Sequence, residues 1–74
     1  MDREIIESHL ALAEKHIAIG ARNIFRQREI IDELQRDCHD ASLARKTLAL
    51  FEDIQNMHLA ERERLRALLT EIPK

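Results

Sequence analysis

Residues seven apart line up in four columns through the first half of this chain, and that repeat admits little besides a long helix. The columns are Ile5-Leu12-Ile19, His9-His16-Asn23-Ile30, Ile6-Ala13-Gly20-Gln27-Leu34 and Leu10-Ile17-Ile24-Ile31-Cys38. On a helix they lie side by side and form one wide apolar sector. The His9-His16-Asn23 column runs inside that sector as a polar ladder. Buried polar groups need partners, so the ladder is either a site or a device that selects register and partner.

The sequence holds one Gly and one Pro, and Pro73 is next to last, so long uninterrupted helices are the default. The expected first helix spans about residues 2–36, with Asp2 as its N-cap. Asp37, Cys38, His39 and Asp40 break the periodicity and read as a turn. Cys38 stands where a left-handed Gly or Asn usually follows a helix, so strain is expected there unless the turn takes another form. Asp40 is a good N-cap for a second helix over about residues 41–71, with Ser42 as the competing choice. The apolar positions of that helix, Leu43, Leu48, Leu50, Phe51, Ile54, Met57, Leu65, Leu68, Leu69 and Ile72, recur at spacings of three, four and seven. A short turn makes the two helices antiparallel neighbours.

This predicts an all-α antiparallel two-helix hairpin occupying residues 1–74 as a single domain. Such a chain is short for a self-sufficient core, and Cys38, the only cysteine, excludes an internal disulfide. Metal or self-association remains. One hairpin seam also leaves half of the apolar sector of the first helix uncovered. Dimerisation into a four-helix bundle resolves both points. The expected core and dimer interface comprises Ile5, Leu12, Ile19, Leu10, Ile17, Ile24, Ile31, Phe51, Ile54 and Leu65. The partner is a second copy of the chain, with another helical protein as the alternative.

Antiparallel pairing places residue i opposite roughly residue 77 minus i, to within one helical turn. His16 then lies level with His58 and Glu61, and Asn23 lies near Ile54 and Gln55. His58 and Glu61 share a face, being three apart. Two readings of this layer stay open. One is a zinc or iron site made by His16, His58 and Glu61, although the order of residues departs from the Glu-x-x-His pairs of di-iron bundles. The other is a hydrogen-bonded layer that sets register, as buried polar residues do in coiled coils. Gly20 lies in the same sector and is expected to admit close helix approach or a bulky neighbour such as Met57 or Phe51. Phe25 falls outside the main sector. His9 is expected to face Leu68 near the open end, where water can satisfy it.

Other chemistry finds less support. Ser8-His9 matches part of a histidine-kinase dimerisation motif, but the following acidic residue and the later proline are missing. Ser8 and Ser42 have no base in reach, and no Gly-rich phosphate loop occurs, so no enzyme is predicted. The net charge is -2, with Arg22, Arg26, Arg28 and Arg36 interleaved with Glu29, Asp32, Glu33 and Asp37. Neither a basic face nor an aromatic platform exists for nucleic acid. No membrane span or signal peptide is read, and the lone thiol suits a reducing compartment, so the cytoplasm is the expected location.

The segments His9–Gly20, Arg26–Ile31, Asp40–Arg45 and Leu50–His58 resemble a group of short helical proteins of rhizobia and related alphaproteobacteria. The resemblance covers nearly the whole chain. It implies a bacterial source and a Gly-tolerant turn at Cys38, since that group often carries Gly there. It implies no activity, because the group has no established function.

Overall fold

Asp2 starts the first helix in the expected way. Its backbone is extended and its carboxylate accepts a hydrogen bond from the Glu4 N–H at 3.2 Å. The computed structural model describes residues 2–72; Pro73, noted above, lies outside them. Helix α1 spans Arg3–Arg36 and helix α2 spans Ser42–Glu71, set against the 2–36 and 41–71 expected from periodicity. They pack along each other as a helical hairpin 58 Å long and 13 to 14 Å across. No strand occurs among the described residues.

The turn between them closes α1 with a Schellman motif. The His39 N–H donates to Leu34 O at 2.8 Å and the Cys38 N–H to Gln35 O at 3.1 Å. Cys38 sits at φ 59°, in the left-handed region. A side chain there costs roughly 1–2 kcal/mol, which Gly would escape. Cys38→Gly should therefore raise stability by about 1 kcal/mol in thermal unfolding, without loss of helical signal. A lower melting temperature would refute the strain. Asp40 then opens α2 from just outside it. Its Oδ1 accepts from the Ser42 N–H at 2.9 Å and from the Ser42 hydroxyl at 2.6 Å. These bonds hold the Asp40 carboxyl below its usual range. The N-cap position itself is Ala41, with no side-chain capping bond, so neither Asp40 nor Ser42 is the cap that the sequence suggests; Ser42 instead donates to Asp40.

The seam uses two of the four columns of α1. Ile6, Ala13 and Ile31 are buried, and Leu10, Ile17, Gly20, Ile24, Gln27 and Leu34 are half-buried. From α2, Leu65 is buried, with Leu48, Phe51, Gln55, His58 and Leu69 half-buried beside the seam. The tightest cluster, Ile6, Ala13 and Leu65, lies at the open end under Leu10, Leu68, Leu69 and Ile72. Ile31 and Ala41 are buried at the turn end.

Mid-seam the packing is fastened by two glutamines. Gln27 Nε2 donates to Ala44 O at 3.0 Å, and Gln55 Nε2 donates to Ile17 O at 2.9 Å. Each amide crosses to the opposite helix and meets a backbone carbonyl. The result is a hairpin with apolar ends and a hydrogen-bonded waist.

Candidate functional site

The two long edges of the hairpin differ. One is laced by ion pairs between helices, Glu14 with Arg66 at 3.4 Å and Arg28 with Glu52 at 3.5 Å. Glu14 and Arg28 flank the Leu10-Ile17-Ile24-Ile31 column on the side away from the polar ladder. The ladder edge is different. Next to it Ile5, Leu12 and Ile19 stand 46%, 51% and 39% exposed. Across the seam Ile54 is 42% exposed, flanked by Leu50 and Met57, which are more open still. This strip ends in charges that satisfy one another within the chain. On α1 Arg26 pairs with Glu33 at 3.3 Å, and on α2 Glu61 accepts from Arg64 Nε at 3.0 Å.

At the middle of the strip lies a depression of about 180 Å³ lined by His16, Ile19, Gly20, Asn23, Ile54 and His58. The His16 and His58 rings face each other with centroids 4.9 Å apart and planes tilted by 51°. Neither ring has a hydrogen-bond partner among the described residues. Of the three ligands read from the sequence, two therefore meet. The third, Glu61, turns to Arg64 through two hydrogen bonds, and this pairing holds its carboxyl below the usual range. His9 adds a smaller effect in the same direction. Among the described residues, no cluster of three or more His, Cys, Asp or Glu side chains could hold a metal ion.

Gly20 forms the floor of the depression, and its role differs from the one expected. A Cβ added there would lie 2.0 Å from Gln55 Oε1. The neighbour that needs the space is thus Gln55 and not Met57 or Phe51; Met57 is 71% exposed. Gln55 Oε1 is buried without a hydrogen-bond partner, held there because its amide nitrogen is committed to Ile17 O. Gly20→Ala would return about 1 kcal/mol of helix propensity and cost about as much by dislodging that bond. We expect a near-neutral change. In a Gln55→Ala background the same substitution should instead stabilise by about 1 kcal/mol. A double-mutant cycle in urea reads this coupling, and purely additive effects would exclude it.

A further concavity on α1, lined by Glu29, Asp32, Glu33, Gln35 and Arg36, is an open patch of solvated charges on one helix. Cys38 is exposed at the turn, and Phe25 stands 66% exposed away from the apolar strip. No helix among the described residues is long and apolar enough to cross a membrane. No family model, no curated protein and no solved structure matches this chain.

Proposed function

We propose that this chain is a non-enzymatic, self-associating interaction module of the cytoplasm. Two hairpins lay their apolar strips together and close a four-helix bundle. The observation that carries the reading is the asymmetry of the two edges. Ion pairs span the helices on one edge, and unpaired Ile5, Leu12, Ile19, Leu50, Ile54 and Met57 occupy the other.

Area supports it. The hairpin exposes 5617 Å². Folded monomers of 8.7 kDa typically expose about 4,700 Å², an excess of roughly 900 Å² here. A standard interface removes about 800 Å² from each partner. A second copy is the natural cover, because its own strip has the same length and the same need. The exposed thiol of Cys38 suits a reducing compartment.

Size-exclusion chromatography with light scattering tests the proposal. The expected mass at micromolar concentration is twice the 8.7 kDa of the chain. A stable monomer would sink the bundle and leave the strip as a docking surface for another helical protein.

The pair of imidazoles favours a second reading, a metal-binding bundle. Because Glu61 is engaged by Arg64, each chain brings His16 and His58 alone to such a site.

A further inference from the structure

We infer that His16 and His58 form half of a zinc-class metal site, which a second copy completes with its own two imidazoles. The inference rests on the self-association proposed above. It differs from a site within one chain in both its ligands and its stoichiometry.

The first argument is geometric. Two imidazoles bound to one tetrahedral zinc, with bonds of roughly 2.0–2.1 Å, have ring centroids about 5.2 Å apart. The His16 and His58 centroids are 4.9 Å apart and the rings are tilted, not stacked in parallel. The centroid spacing of the pair matches that of two imidazoles on one ion.

The second argument is position. His16 lies three to four residues from the midpoint of the 34-residue α1, and His58 one to two from that of the 30-residue α2. At 1.5 Å per residue both rings sit within about 5 Å of the middle of the strip. Face-to-face hairpins are related by a two-fold axis lying in the interface. If the axis runs along the helices, every level meets itself and the two pairs face each other. If it runs across them at mid-length, the pairs meet within about 8 Å along the helices. Only the first arrangement brings four imidazoles together around one ion, and it is the one the shared site requires.

The third argument is the need for partners. Covering the strip removes water from two rings that have no hydrogen-bond partner in the chain. A buried polar group without a partner is costly. A metal ion takes up one nitrogen of each of the four rings at once, and nitrogen donors in a tetrahedral set suit zinc. The adjacent Asn23 and the floor at Gly20 keep the depression open enough to admit the ion.

The experiment uses the full chain after treatment with a chelator, with zinc and with cobalt as a spectroscopic probe. Metal content is measured by equilibrium dialysis and mass by light scattering. The variants are His16→Leu and His58→Leu, which keep apolar bulk on the strip. The Cys38→Ser substitution in every sample removes thiolate ligation at the turn. The expected result is one metal per two chains, with the intense visible bands of tetrahedral cobalt. Both leucine variants should stay dimeric and lose metal and bands together. A dimer that takes up no metal, or whose uptake survives both leucine substitutions, overturns the site and leaves the bundle standing. One metal on each monomeric chain overturns the shared site. Absence of both self-association and metal overturns the site and the bundle together.

Discussion

Replacing Ile19 and Ile54 together with glutamate should turn the proposed dimer into a monomer at concentrations where the proposal has the parent chain paired. Both side chains flank the His16–His58 depression. In the bundle each copy would bring two carboxylates into a strip where the second copy does the same. Truncating one central anchor of an interface typically costs at least about 2 kcal/mol, and four uncompensated charges cost more. A loss of affinity of about 1,000-fold or greater follows. Both positions are already substantially open to solvent in the single hairpin, so the helical circular dichroism at low temperature should persist. Phe25→Glu is the matched control. That residue is 66% exposed on a different face and should leave the mass unchanged. Sedimentation equilibrium decides. If the Ile19→Glu, Ile54→Glu double variant sediments like the parent, the interface lies elsewhere.

The readable part of this architecture was the part written in periodicity. Columns of seven put Ile6, Ala13 and Ile31 in one apolar sector, yet the expected core held Ile31 and omitted Ile6 and Ala13, which are buried, while Ile5, Leu12 and Ile19 stand open. The chemistry of the turn was equally local. Position 38 follows the helix where a left-handed residue belongs, and Cys38 adopts that conformation. Polar residues inside the seam were harder, because their partners are set by register and not by spacing. Gln55 read as a neighbour of Asn23, yet it serves as the bolt to Ile17 O and fills the space left by Gly20. Register also decides the polar layer. Contacts such as His16 with His58 and Gly20 with Gln55 fall within one turn of the assumed pairing. That one turn separates a layer containing Glu61 from one without it. Arg64 stands three residues beyond Glu61, as His58 stands three before it. Both are neighbours on the helix surface, and the permanent charge of Arg64 wins the carboxylate. A reading of i, i+3 pairs that weighed the cation first would have taken Glu61 out of the ligand set.

Truncating Leu65 should damage the hairpin itself and so separate folding from assembly. Leu65 is fully buried against Ile6 and Ala13, with Leu10, Leu68, Leu69 and Ile72 around it. Leu-to-Ala changes at such sites cost about 2–5 kcal/mol, the loss growing with the cavity left behind. Small domains hold only on the order of 5 kcal/mol, so Leu65→Ala removes much of it. At about 5 °C per kcal/mol, the melting temperature should fall by on the order of 15 °C. A fall of less than about 5 °C would mean that the open-end cluster is not the anchor of the fold. The dependence on concentration then distinguishes this variant from the charged one. Where folding and pairing are linked, raising the concentration of chain raises the melting temperature by mass action. Leu65→Ala leaves the apolar strip intact, so in the proposed dimer its lower melting temperature should still climb with concentration, as the parent's should. The Ile19→Glu, Ile54→Glu variant keeps the seam and loses the partner, so its melting temperature should not move with concentration. The same flat response in Leu65→Ala would place Leu65 in the interface between copies, contrary to its burial within the single hairpin.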